Sequence, residues 1–404
     1  MRLGIVYHMP FWRDAAGRLR EIEGSFARYV DSLAPYFDEI VLCVPVLAKG
    51  PGDGTYVRAD NVTLAPLGRF DGPKQFYPRL PQMLPRLFRF VRSVDVLHCR
   101  IPTPAATFAF RVARLLRRPC FLLVVGDLDA LRDSVPYRGV KRWLWRGYVA
   151  FEERNMQRMA DSALTFANGA ALARKHSRAG RPVIETRTTT ISLSDLATRE
   201  DTCAGARARL LTVSRVDPRK GLGVLPDVVS QLVARGFDIS LDIVGPPVGA
   251  PGEAEQRTIA ARAAALGLAD RIRLLGAVPL DRLLPLYRDY DLFVLPTLPG
   301  EGIPRVLLEA MTAGAPVVTT RVAGIPSLVS QDVNGILVDE ATPASIAGAI
   351  ERVLRDAGLR RRLIANGYET ARGLTLEAQA MRMMGEVSAR LGVTLRQPAP
   401  LRAV

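Results

Sequence analysis

Two carboxylates stand eight residues apart in Glu301-Gly-Ile-Pro-Arg-Val-Leu-Leu-Glu309, and Ala-Met-Thr-Ala-Gly-Ala-Pro316 follows. Eight residues is a little over two helical turns, so a helix here sets both carboxylates near one end on neighbouring faces. Pro304 suits the first turn, where a missing N–H costs nothing. The unpaired N–H groups of that turn, with the helix dipole, suit a diphosphate. A carboxylate further along the helix can accept hydrogen bonds from a ribose diol. The chemistry this pattern serves is the holding of a nucleotide-linked sugar. Gly314, Ala315 and Pro316 then break the helix and lead into a buried strand.

Such a site needs a sheet to carry it, and the chain has the pattern for two. At 404 residues, two domains of about 200 residues are the expectation. Short apolar runs alternate with helical stretches throughout, as in a doubly wound α/β sheet. In the first half the expected strands are residues 3–7, 39–45, 94–98, 121–125 and 162–166. In the second they are residues 209–214, 240–244, 272–275, 292–295 and 316–319. The junction is expected at residues 196–208, giving domains 1–200 and 201–375. Residues 376–404 complete the chain as a helix packing back towards the first domain, then a tail.

The order of motifs resembles that of the retaining glycosyltransferases of family 4, which have the GT-B fold of two Rossmann-like domains facing across a cleft. Glu301 and Glu309 match the family's E-x7-E signature. Val213-Ser-Arg215-Val-Asp-Pro-Arg-Lys220-Gly221 looks like its diphosphate clamp, and Leu241-Asp-Ile-Val-Gly245 like its next strand and turn. Matches continue in order through Asn334-Gly335, over about residues 210–340; before that only the outline is shared. The resemblance implies transfer of a sugar from a nucleoside diphosphate, UDP or GDP, to an acceptor hydroxyl, with retention. Glu309 would take the ribose hydroxyls and Glu301 the sugar ring. Arg215 and Lys220 would neutralise the diphosphate, and the backbone at Gly302, Ile303, Pro304 and Arg305 would meet the phosphates. With two cations on the leaving group, no metal or other cofactor is expected, and no Asp-x-Asp pair is expected to serve the site. Gly24, in Glu23-Gly-Ser25, would let backbone approach the donor phosphates, although a plain N-cap at Ser25 accounts for the same residues. The chain departs from the pattern at Val125-Gly126-Asp127, where the family has a histidine; Asp127 is the candidate replacement. It departs again at Gly245-Pro246-Pro247, where a glycine pair is usual. Rival readings are a GT-B enzyme of other chemistry, such as an epimerase or coupling synthase, and a basic protein that binds anionic surfaces.

Net charge is +15, from 55 Lys and Arg against 40 Asp and Glu. Residues 1–200 hold 31 of the basic and 19 of the acidic side chains, so the excess lies in the acceptor half. Such a field draws anionic partners. Equally, 50 of the 55 basic residues are Arg, as a GC-rich coding sequence would give. No nucleic-acid motif accompanies the charge. Residues 74–92 and 138–158 interleave Arg with aromatic and aliphatic residues. That composition suits an anionic membrane surface, and it equally suits helices burying one side in their own domain. Pro78, Pro81 and Pro85 argue against one regular helix over 74–92. No apolar run reaches about 20 residues. Four scattered cysteines without metal spacing read as reduced thiols. A cytoplasmic protein, peripheral at the inner membrane face if at all, is the expectation.

Overall fold

The structure, a computed structural model, describes residues 1–22, 24–50, 54–70, 73–129, 138–196, 198–299, 303–322 and 324–398. The chain divides into two compact units, Met1–Thr188 with Leu376–Val404, and Thr189–Thr375. Each is built on a parallel sheet.

The strands of the first unit are β1 (Arg2–Val6), β2 (Phe11–Arg13), β3 (Leu19–Glu21), β4 (Glu39–Pro45), β5 (Thr55–Tyr56), β6 (Val62–Leu67), β7 (Val96–Ile101), β8 (Cys120–Val124), β9 (Leu164–Asn168) and β10 (Ile184–Thr186). Seven of them form a parallel sheet in the order β10-β9-β8-β7-β1-β4-β6. The other three, β2, β3 and β5, make a small antiparallel ribbon. Apolar side chains from both faces of the sheet enter two cores, one around Leu97, Leu122 and Val124, the other around Leu3, Ile5 and Leu123. Burial on both faces is why these strands read as continuous apolar runs rather than as alternation.

Contrary to the expectation from its prolines, Pro73–Arg92 is one helix, running through Pro78, Pro81 and Pro85. All three prolines face solvent, where water can take the carbonyls they leave unpaired. Each interior proline costs about 3 kcal/mol. On the opposite side Phe76, Met83, Leu87, Phe90 and Val91 are buried, each stabilising by about 1.5–3 kcal/mol. The apolar stripe outweighs the prolines.

The second unit has β11 (Ala208–Val213), β12 (Ile239–Val244), β13 (Ile272–Gly276), β14 (Leu292–Leu295), β15 (Val317–Thr320) and β16 (Ile336–Val338). They form a parallel sheet in the order β13-β12-β11-β14-β15-β16. Residues 189–199, placed by sequence in the first half, belong to this unit. Arg199 explains why: its guanidinium donates to the carbonyls of Gly314 (3.0 Å), Arg288 (3.1 Å) and Tyr290 (2.8 Å). At the other end, helices Ala357–Arg372 and Leu376–Leu391 fall in different units, divided at Gly373 to Thr375.

Replacing Arg199 by Met leaves two part-buried carbonyls and one exposed carbonyl without their donor. A loss of about 2–3 kcal/mol follows, and a melting transition several degrees lower. Calorimetry checks this; Arg199→Lys should restore only part, since an ammonium lacks the planar fork.

Candidate functional site

In the second unit the chain runs from β11 outward through β12 and β13, then returns to β14 on the other side. Strand order therefore reverses between β11 and β14, and such a reversal opens a crevice at the carboxyl ends of the strands. Two glycines let the loops close around it. Gly221 sits at φ 65°, and a Cβ there would lie 2.2 Å from the carbonyl oxygen of Pro296. Leu298 N–H donates to Arg219 O at 2.9 Å, so the turn after β11 and the run after β14 are one backbone assembly. Gly245, at φ 139°, would place a Cβ 2.0 Å from Ser214 O. Its missing side chain thus serves the approach of β11, a role the sequence did not reveal. The Pro246-Pro247 departure is locked to the same loop, with Val216 N–H on Pro246 O (2.9 Å) and Val248 N–H on Val216 O (3.1 Å).

The cations lie on that turn. Asp217 caps the short 3-10 helix Pro218–Lys220 by accepting from Arg219 N–H at 3.0 Å, and it pairs with the Arg219 guanidinium at 2.6 Å. The hydrogen bond from that guanidinium holds Asp217 down at about 2. Arg215 is exposed, and its guanidinium forms no hydrogen bond or ion pair among the described residues. Lys220 is half-buried beside the Gly221 contact.

On the β14 side, Glu301 and Gly302 lie outside the described residues. Ile303 packs on Gly324, where a Cβ would come within 2.7 Å of Ile303 Cγ1. The helix is Arg305–Thr312, with Pro304 as its cap rather than its first residue. Glu309 is buried, 5% exposed, and its carboxylate already has two donors: Thr190 Oγ1 at 2.7 Å and the Tyr287 hydroxyl at 2.9 Å. Burial first, then the Glu309 charge, pushes the Tyr287 phenol well above its ordinary range. A buried carboxylate needs partners, and the protein supplies two of them. A carboxylate offers about four acceptor sites, so two remain. Thr190 lies 119 residues away, and no local pattern could have named it.

Gly24 and Asp127 are positioned by the first unit. Gly24 caps helix Ser25–Leu33 at φ 75°, and Ser25 provides no side-chain cap. The buried Glu21 carboxylate does that work, accepting Phe26 N–H at 3.0 Å and Ala27 N–H at 3.1 Å. Asp127 belongs to an Asp-x-Asp pair after all. Asp127, Asp129 and Glu153 converge, but on the Lys175 ammonium, at 2.5, 2.9 and 2.9 Å. Burial works against that charge, yet the three carboxylates hold the lysine above its ordinary pKa.

Tyr287→Phe removes one donor from a buried carboxylate and should destabilise by about 1–3 kcal/mol. Thr190→Val should act in the same direction. Urea unfolding of both, and of the double variant, checks the shared network through non-additivity.

Comparison with known proteins follows the same division. Residues 200–370 match the family described as glycosyl transferases group 1. A D-inositol 3-phosphate glycosyltransferase of Salinispora tropica is 37% identical over 161 residues, which are 39% of this chain and 33% of that protein. A phosphatidyl-myo-inositol mannosyltransferase of Mycobacterium leprae is 34% identical over 176 residues, 43% of this chain and 45% of that one. The matches thus span less than half of these relatives. Among solved structures, Anabaena HepE in complex with UDP superposes with a TM-score of 0.68 at 16% identity, covering 96% of this chain and 100% of that one. A glycosyltransferase of Rickettsia africae gives 0.69 at 13%, over 96% and 98%. At such identities the likeness is one of fold. Residues 200–370 are therefore similar to glycosyl transferases group 1, and the chain that carries them has the GT-B fold.

Proposed function

We propose that this chain is a retaining glycosyltransferase that takes a sugar from a nucleoside diphosphate and passes it to an acceptor hydroxyl. The observation that carries the reading is the contact of Gly221 with Pro296 O. It sets the cationic turn of Arg215 and Lys220 against the run that leads to the Glu309 helix. The match of residues 200–370 to glycosyl transferases group 1 and the names of the relatives support it.

In this reading the diphosphate lies at the β11/β14 crevice. Arg215 gives planar N–H donors to phosphate oxygens, and Lys220 a compact charge. Glu309 uses its remaining acceptor sites on the ribose, braced by Tyr287 and Thr190. As the bond from anomeric carbon to phosphate oxygen breaks, negative charge grows on the diphosphate, where the cations stabilise it. The acceptor oxygen bonds to the same face of that carbon and yields its proton to the departing phosphate. UDP or GDP is the expected carrier. The cations make a divalent metal unnecessary, so excess EDTA should leave the rate unchanged. Asp127, the candidate in place of the family's histidine, is paired with Lys175.

Arg215→Ala and Lys220→Ala should each lower kcat/KM by about ten- to a hundredfold, the worth of one charge-assisted hydrogen bond. Donor consumption with an acceptor panel reads this out, and an unchanged rate in both variants would refute the clamp.

An anionic membrane surface is the proposed setting for the first unit. Helix Gly139–Ala160 buries Val149, Met156 and Met159, but its first turns expose Val140 (74%), Trp143 (74%) and Leu144 (57%) among Lys141, Arg142 and Arg146. Apolar anchors interleaved with cations suit a headgroup interface. No helix among the described residues is long and apolar enough to cross a membrane. Flotation should show binding to vesicles containing anionic lipid, little to neutral ones, and loss in Trp143→Ser; equal flotation with both lipids would reject the charge component.

A further inference from the structure

The first unit has its own reversal of strand order. From β1 the chain goes outward through β4 and β6, then crosses back to β7 on the other side, so the crevice falls between β1 and β7. Val6 pairs with Cys99, which puts Arg100 one step beyond the last paired residue of β1, at the mouth of that crevice.

Arg100 is 7% exposed, and its Nε and Nη1 have no acceptor among the described residues. Its guanidinium carbon lies over three rings, at 4.6 Å from Tyr7, 5.0 Å from Phe26 and 4.5 Å from Tyr29. Aromatic faces offset part of the cost of burying a cation, but they accept no in-plane N–H. A buried charge ordinarily has a partner of opposite sign. None is supplied among the described residues: Glu21, on the neighbouring ribbon, is occupied by the amides of Phe26 and Ala27. His98, on the same face of β7, is hydrogen-bonded to Tyr29 at 2.9 Å. Burial and the Arg100 charge hold its pKa down at about 3, so it brings no charge. Just past the end of β7, Thr103 is 4% exposed, caps the next helix without using its side chain, and leaves its Oγ1 unpaired. Orphaned donors from Arg100 and Thr103 therefore gather at one strand end, where parallel sheets receive ligands.

We propose that this crevice is an oxyanion subsite, in which Arg100 and Thr103 receive a phosphate or carboxylate group of the molecule to be glycosylated. The ligand's role as acceptor rests on the transferase reading; the existence of the subsite does not. The acceptor class is thus anionic, and the positive excess of residues 1–200 would draw it in.

Glycerol 1-phosphate, glycerate and glycerol share a skeleton and differ in the anion. Titrated into the full chain with UDP present, the first two should raise the melting temperature in a saturable way and glycerol should not. The stronger of the two identifies the anion. Arg100→Met should weaken the response at least tenfold and Thr103→Val several-fold. Should Arg100→Met fail to fold, the wild type still decides. With arginine-selective nitrogen-15 labelling, an Nε–H resonance that Arg100→Lys removes should shift on adding glycerol 1-phosphate. A response to glycerol equal to that of the anions, no response to either anion, or an unaltered response in the variants would overturn the subsite. The UDP shift is read in the same experiment. Its absence from wild type would count against the transferase reading and leave the anion titration to stand or fall alone.

Discussion

The backbone of the second unit comes together where no side chain fits. A Cβ on Gly221 would strike Pro296 O, and one on Gly245 would strike Ser214 O. Both residues lie at φ values that other residues avoid, so position and conformation exclude a substitute together. Because these contacts hold, the loops after β11, β12 and β14 are stacked rather than merely adjacent. The cationic turn, the Pro246-Pro247 loop and the approach to the Glu309 helix inherit their relative placement from them. The side chains that would do chemistry are passengers on that backbone arrangement.

Buried charge is treated differently at the two strand-order reversals. Glu309 is enclosed with Thr190 and Tyr287, and Glu21 is enclosed with two helix amides. Each carboxylate is held by donors from its own unit, which fixes its orientation before any ligand arrives. Preorganisation of this kind removes the reorganisation cost at the moment of binding. Arg100 lies against aromatic rings, and its Nε and Nη1 have no acceptor among the described residues. Lys175 shows the contrast within the same unit: three carboxylates occupy its three N–H groups, and the cluster is closed.

Sheet order was legible in outline because strands buried on both faces leave continuous apolar runs. β4 and β14 have the boundaries their residues suggest, and the remaining expected strands differ by one to three residues at an end. The edge strands β6, β10 and β16 and the ribbon of β2, β3 and β5 escaped, being short or half exposed. The proline-bearing helix Pro73–Arg92 escaped because a local rule was set against a tertiary gain that only packing reveals. At the site, motif spacing pointed to Arg215, Lys220, Gly245 and Glu309, but not to what surrounds them. Thr190, Tyr287 and Glu21 act across long separations, and Arg100 looks like any other arginine until its neighbours are seen. Gly245 stands in the motif by resemblance, and its backbone neighbour Ser214 O independently requires a glycine there.

Hydrogen exchange with and without UDP or GDP would test most directly the claim that the β11/β14 crevice holds the nucleotide. A nucleotide held there adds protection at 214–221, at 296–299 and through the first turns of Arg305–Thr312, with little change on the far strands β13 and β16. Protection that spared these three stretches while appearing elsewhere in the second unit would contradict it.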